Sequence, residues 1–419
     1  MPPRNLKVLL VAYHFPPMNS GGVQRPLQML KFLPRFGVDV SVLTHSYSRS
    51  DLRSEPNILR VYDTNSKGLG KLLHYPLRTL QRLSRVLGRS TSWHGVWARA
   101  VKRRSDSIFQ IARPDVVLST YPPVETLDVG LYLSEKYAVP LVADFRDGLL
   151  FEPIEGEMLR SPSTRLRYLE IEQSIARQAA GIITVSDPIS NYFKSQYEHQ
   201  AVLTIPNGFD PDEPSVEPSS NELDRTKFNL VYTGRLALSE KGRRASVFME
   251  AVTRVVKDLP EVADKLKIHL VGEFSPAEKA ALSELIELGT VHVHGLVERS
   301  RSLGFQRAAT MLLLVTPTGK TSVATSKLFE YLNSGRPILG VTRNTAAEKI
   351  ILKTQVGFVV DPADADAIYG ILKRLVLEPG FIDSISRCGS EIEKYSRPHQ
   401  MNILASFLRG FVPAPIAAG

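Results

Sequence analysis

The first apolar run, Leu6 to Val11, is continuous after Lys7, the pattern of a strand buried on both faces. A loop from Tyr13 to Gly22 separates it from a helical pattern that turns Leu27, Leu30 and Leu33 inward and stops at Gly37. Val38 to Leu43 reads as the next strand. Asp115 to Ser119, Pro140 to Asp144 and Gly181 to Val185 read as further buried strands, with helical stretches such as Leu166 to Ala180 between them. Strands alternating with helices predict a parallel α/β sheet. Around 206–226 the texture changes to Pro-, Asp- and Ser-rich turn and linker sequence, which marks a domain boundary. A second series follows, with strands predicted at Phe228 to Tyr232, Ile268 to Val271, Val291 to His294, Met311 to Val315, Pro337 to Val341 and Gly357 to Val360. The pattern predicts a first domain over 1–210, a linker over 211–226 and a second domain over 227–395. A final helix from about His399 to Phe411, within 396–419, either completes the second domain or crosses back to the first. Two doubly wound sheets facing each other predict a ligand site in the cleft between them, at the carboxyl ends of the strands.

Composition narrows the partners. The 419 residues are 43% hydrophobic and 23% charged, an ordinary globular balance for two or three domains. No apolar run approaches the roughly 18 residues of a bilayer span, and the N-terminus carries no small-residue cleavage site, so a cytoplasmic protein is expected. Cys388 is the single cysteine, which excludes an intramolecular disulfide and a cysteine-cluster metal site. The net charge of +9 favours acidic partners. Part of it lies in 67–104, where Lys67, Lys71, Arg78, Arg82, Arg85, Arg89, Arg99, Lys102, Arg103 and Arg104 occur with no Asp or Glu. Arg78, Arg82, Arg85 and Arg89 share one helix face, leucines occupy much of the rest, and Trp93 and Trp97 follow. Such a segment suits an anionic membrane surface, although a basic helix packed on its own domain has the same pattern. Nucleic acid is not an expected partner, because no recognised binding module accompanies the basic stretch.

Three segments carry candidate chemistry. Gly21-Gly22 precedes the first helix, where a ligand can approach the backbone and the helix N-terminus favours an anion. Tyr232-Thr233-Gly234-Arg235 ends a strand and is followed by Lys241-Gly242, so that two cations stand ready for a diphosphate or form a solvated basic loop. Thr325-Ser326-Lys327-Leu328-Phe329-Glu330-Tyr331 opens a helix that stops at Gly335. Its first-turn amides at Ser326 and Lys327 suit a phosphate, and Glu330 suits a vicinal diol, since a carboxylate accepts at both oxygens. Asp364-Ala365-Asp366 matches a metal-binding D-x-D pattern by letter but reads better as the cap of the following helix. His292 and His294 alternate on a strand with no further ligand in view and read as structural, so no metal is expected.

Thr325-Ser326-Lys327 through Glu330-Tyr331 to Gly335-Arg336-Pro337 resembles the donor-binding helix of the family-4 retaining glycosyltransferases, which have the GT-B fold. Gly234-Arg235 with Lys241-Gly242 is similar to that family's diphosphate pair, Gly21-Gly22 to its N-terminal glycine loop, and Pro206-Asn207-Gly208-Phe209-Asp210 to its turn before the linker. Asp144-Phe145-Arg146-Asp147 resembles a D-x-R-D motif of members that build bacterial surface polysaccharides. The resemblance implies metal-independent transfer of a hexosyl or N-acetylhexosaminyl group from a UDP- or GDP-linked donor, with retention, to a polysaccharide, lipid-linked or envelope glycan. It implies Arg235 and Lys241 on the diphosphate and Glu330 on the ribose, with Asp147, Arg146 and His14 as candidates on the sugar or acceptor side. The chain departs from the family at Ser322, where a glutamate is common, and at Thr120-Tyr121-Pro122-Pro123, where some members carry a histidine. A nucleotide-sugar 2-epimerase of the same fold and an inert nucleotide-binding partner subunit are the alternatives.

Overall fold

The structure is a computed structural model that describes residues 4–18, 21–46, 55–62, 93–153, 162–236, 244–316, 319–378 and 380–412. The chain forms two compact units, one running to Pro206 and taking up the segment from Pro398 onward, the other Asn207–Arg397.

In the first unit the strands are β1 (Leu6–Val11), β2 (Val38–Ser46), β3 (Ile58–Tyr62), β4 (Val116–Tyr121), β5 (Leu141–Phe145), β6 (Gly181–Thr184) and β7 (Val202–Thr204). All pair in parallel, in the order β3-β2-β1-β4-β5-β6-β7. Alternate residues of β1 enter opposite layers. Leu9 and Val11 pack with Trp97, Leu127 and Leu133, while Val8 and Leu10 pack with Met29, Phe32 and the C-terminal residues Met401, Leu404, Ala405 and Leu408. The final helix, Arg397–Arg409, therefore completes the core of the first unit. At the start of β6, Gly181 leaves room for it: a Cβ there would stand 2.6 Å from the Phe411 ring and 2.8 Å from that of Phe407.

Several elements differ from the hydrophobic pattern. Helix Gln24–Phe32 runs into a tight 3-10 turn, Leu33–Phe36, closed by Gly37 at φ +70°. Its inward stripe is Arg25, Gln28, Met29 and Phe32, whereas Leu27 and Leu30 are only half-buried. Leu33 is fully buried and Leu27 and Leu30 pack against the same core, but two polar residues, Arg25 and Gln28, also occupy inward positions that apolar spacing does not mark. Strands β3 and β7, both at sheet edges, are short and were not expected. Trp97 is fully buried, edge-on to Tyr13 at 5.4 Å, so it is a core residue and not a membrane-facing one. The face shared by Arg78, Arg82, Arg85 and Arg89 lies outside the described residues.

Arg25 is inward because it has a partner. Its guanidinium donates to both oxygens of fully buried Asp144, at 3.0 and 2.6 Å, and to the Ile205 and Pro206 carbonyls at 2.8 and 3.2 Å. Thr120 donates to the same carboxylate at 2.8 Å. Removing one member of such a pair strands the other in a low-dielectric interior. Asp144→Ala should therefore destabilise the first unit by about 3–5 kcal/mol in urea unfolding.

In the second unit β8 (Phe228–Thr233), β9 (Leu266–Val271), β10 (Val291–Gly295), β11 (Met311–Val315), β12 (Ile338–Val341) and β13 (Gly357–Val360) form a parallel sheet in the order β10-β9-β8-β11-β12-β13. Asp364 accepts from the Ala367 amide at 2.8 Å as the cap of helix Ala365–Leu377, and Asp366 pairs with Arg254 at 2.8 Å. His292 and His294 have a third, buried companion. The His269 ring stacks near both, its Nδ1 lies 3.0 Å from His294 Nε2, and its Nε2 lies 2.9 Å from Asn229 Oδ1. Burial, reinforced by His294 and His292, lowers the His269 pKa to about 3. Among the described residues no group of three His, Cys, Asp or Glu could hold a metal, and no helix is long and apolar enough to cross a membrane.

Candidate functional site

Both sheets reverse strand order beside their first strand, between β1 and β4 and between β8 and β11. Connections leave such a point on opposite faces and open a crevice at the carboxyl ends of the strands. The candidate residues gather at these two places.

In the second unit β8 ends at Thr233, and Gly234 turns the chain at φ +96°, its amide donating to Val271 O at 2.6 Å. Arg235 follows and is exposed. Across the switch point, helix Ser326–Ser334 begins at Thr325, which makes no side-chain cap, so its first-turn amides point outward unclaimed by a capping side chain. Lys327 folds back over the end of β8. Its Nζ lies 4.5 Å from the centre of the Tyr232 ring and donates to Tyr232 Oη at 2.8 Å, and that hydroxyl donates to Arg235 O at 2.8 Å. The positive φ at Gly234 favours glycine, and a Cβ there would come within 2.6 Å of Lys327 Cε and displace the lysine end. Burial pulls the Lys327 ammonium down to about pH 8, with Glu330 opposing the shift.

Glu330 lies one turn further on. Its Oε1 accepts from Arg299 at 2.8 Å and its Oε2 from Gln306 at 3.0 Å. Gln306 also donates to Thr233 Oγ1 at 3.0 Å, and Tyr331 Oη accepts from the Thr233 amide at 3.1 Å. Arg235, Ser326, Lys327 and Glu330 are thus brought to one strand end, whereas Lys241 and Gly242 lie outside the described residues. Arg299 and Gln306 were not singled out in the sequence, since a surface arginine and a helical glutamine carry no motif.

In the first unit, the loop after β1 holds Tyr13 and His14. Tyr13 stacks on His45 at 4.5 Å and meets His94 edge-on at 4.6 Å, and the His14 and His94 rings are 6.4 Å apart. His14 Nδ1 lies 3.0 Å from Met18 Sδ. Burial, then the nearby charge of Arg146, pulls the His14 pKa to about 4. Arg146 donates to the carbonyls of Tyr121 at 3.0 Å, Pro122 at 2.6 Å and Gly22. Its guanidinium thereby ties the glycine loop to the end of β4. A Cβ on Gly22 would sit 3.0 Å from Arg146 Nη1, whereas Gly21 has open space around it. Asp147 is half-buried next to Arg146. Sequence reading missed His94, whose Nδ1 is 3.7 Å from the buried carboxylate of Glu125, itself 3.4 Å from Arg167. His94 is distant from His14 along the chain, and only the packing on Tyr13 unites them.

Two parallel switch-point sheets, one with cations and an uncapped helix N-terminus at its strand ends, are the architecture of the GT-B fold. Residues 20–208 match the glycosyl transferase 4-like domain and residues 227–378 the glycosyl transferases group 1 domain, so the chain belongs to the glycosyltransferases that these two domains describe. No curated protein matches the sequence. Solved structures share the fold over nearly the whole chain. HepE of Anabaena, solved with UDP and glucose, is 17% identical with a TM-score of 0.61, covering 97% of this chain and 100% of its own. Sucrose-phosphate synthase of Thermosynechococcus elongatus is 15% identical at 0.66, covering 97% and 99%. A UDP-forming α,α-trehalose-phosphate synthase of Burkholderia vietnamiensis is 12% identical at 0.65, covering 96% and 100%.

Lys327 makes stability depend on pH. Its pKa is about 8 in the folded chain against an ordinary 10.5. Between these values the unfolded chain holds a proton that the native one lacks, so stability rises with pH across that window. Urea unfolding of Lys327→Met should lack this rise, and an identical rise in the variant would contradict the assignment.

Proposed function

We propose that the protein is a retaining, metal-independent glycosyltransferase that moves a hexosyl or N-acetylhexosaminyl group from a UDP- or GDP-linked donor to a polysaccharide, lipid-linked or envelope glycan. The observation that carries the donor site is the convergence of Arg235, Lys327, the uncapped helix start at Ser326 and the Glu330 carboxylate at one switch point. Arg235, with Lys241 six residues later in the sequence, neutralises the diphosphate. The amides of Ser326 and Lys327 cradle a phosphate, and Glu330 accepts from the ribose hydroxyls. HepE, solved with UDP-glucose, supports a uridine nucleotide.

Within the first unit, Gly21 and Gly22 leave backbone open to a phosphate, and Asp147 and His14 serve the sugar or acceptor. With its pKa near 4, His14 is neutral at physiological pH and serves as a hydrogen-bonding group, not a cation. The acceptor oxygen forms its bond to the anomeric carbon on the face from which the bond to the β-phosphate oxygen breaks. The departing phosphate oxygen takes the acceptor proton, so no side-chain base is needed. Positioning and fixed positive charge supply the catalysis. The basic segment 67–104, with Arg99, Arg103 and Arg104 exposed in its described part, suits an anionic membrane surface beside a lipid-linked acceptor.

Metal-free thermal melts with UDP, GDP and their sugar conjugates test the site. A ligand at about 100 times its dissociation constant adds roughly 2.7 kcal/mol, and Arg235→Ala and Glu330→Ala should each abolish most of that gain. Absence of any shift in a well-folded protein would remove the donor assignment. Because a diphosphate favours the charged ammonium, binding near pH 8 should also take up protons through Lys327, read as a dependence of calorimetric heat on buffer ionisation enthalpy that Lys327→Met loses.

A further inference from the structure

Glu330 does not stand alone. Arg299 and Gln306 are seven residues apart on helix Arg299–Ala308, two turns along one face, and both reach its carboxylate. Gln306 is completely buried, with its amide nitrogen shared between Glu330 Oε2 and Thr233 Oγ1. Its Oε1 is buried with no hydrogen-bond partner. Arg299 occupies the first position of its helix, where the helix dipole disfavours a cation. It is held there by a second carboxylate, Glu213, which accepts from its Nε and, at 2.9 Å, from its Nη2. Asn333, on the helix of Glu330, donates to Asp210 O at 3.1 Å and so ties that helix to the segment carrying Glu213.

We propose that Arg299, clamped by Glu213, and Gln306, anchored on Thr233, are positioning residues that orient the Glu330 carboxylate toward the vicinal diol of the donor ribose. A carboxylate offers about four acceptor positions, two on each oxygen. One position on Oε1 is taken by Arg299 and one on Oε2 by Gln306. This leaves one on each oxygen, matched to the two hydroxyls of a ribose. The inference rests on the reading of Glu330 as the ribose-binding carboxylate.

The test is calorimetric binding of UDP and GDP, each beside its 2′,3′-dideoxy counterpart, to the full chain and to its Arg299→Ala, Arg299→Lys, Glu330→Gln and double Arg299→Ala/Glu330→Gln variants. Arg299→Ala should weaken the ribonucleotide about tenfold and the dideoxynucleotide less than about twofold. Arg299→Lys should recover part of the loss, and the double variant should bind no more weakly than Glu330→Gln alone. Equal losses for both ligands, or no loss for either, would overturn the positioning role while leaving Glu330 on the ribose. Wild-type protein that binds ribo- and dideoxynucleotide alike would overturn the donor reading and this inference with it. Should Arg299→Ala fail to fold by circular dichroism, Arg299→Lys decides on the same criterion, a loss confined to the ribonucleotide.

Discussion

A parallel sheet that reverses strand order beside its first strand cannot cover that strand's carboxyl end, because the flanking connections leave toward opposite faces. In the second unit this places the turn at Gly234 beside the start of helix Ser326–Ser334, with backbone amides and a lysine brought together in the gap. The bare Gly234 leaves space for Lys327 to lie over Tyr232, and the Tyr232 hydroxyl accepts from the ammonium. The same reversal in the first unit gathers Tyr13, His14 and Gly22 with Arg146. One topological constraint, used twice, sets where chemistry is possible.

The two gaps differ in how their charges are satisfied. In the first unit Arg25 is neutralised by Asp144, and three donors of Arg146 reach backbone carbonyls, so these cations brace loops. In the second, Lys327 rests on an aromatic ring and a phenol without a carboxylate hydrogen bond, and burial makes its charged form costly. Arg235 is exposed. A buried ammonium resting on an aromatic ring beside the amides of a helix start gives that strand end a positive local character.

Negative charge in that region is confined to defined oxygens. Glu330 is bounded by Arg299 and Gln306, and Arg299 in turn by Glu213. This chain of contacts links three separate segments of the second unit, so the orientation of one carboxylate depends on residues far away along the chain.

Read alone, the sequence determined the fold class, the two α/β series, most of the strand positions and the helix that starts after Thr325 and stops at Gly335. These rest on local periods and on backbone demands at glycines, which nearby residues express. It left open the destination of the last helix, because an amphipathic helix carries no address. Tertiary packing of Met401, Leu404, Ala405 and Leu408 against β1 decided it. It did not reveal that Arg25 and Gln28 share the inward side of the first helix, because Arg25 is inward only in the presence of Asp144, more than a hundred residues away, and it left open whether Trp97 is a core residue. His94 beside Tyr13 and His14, His269 beside His294, and Arg299 and Gln306 on Glu330 were invisible for the same reason. Each is an ordinary letter locally, and acquires meaning only when non-local strands and helices bring its partner within hydrogen-bond or ring-contact distance.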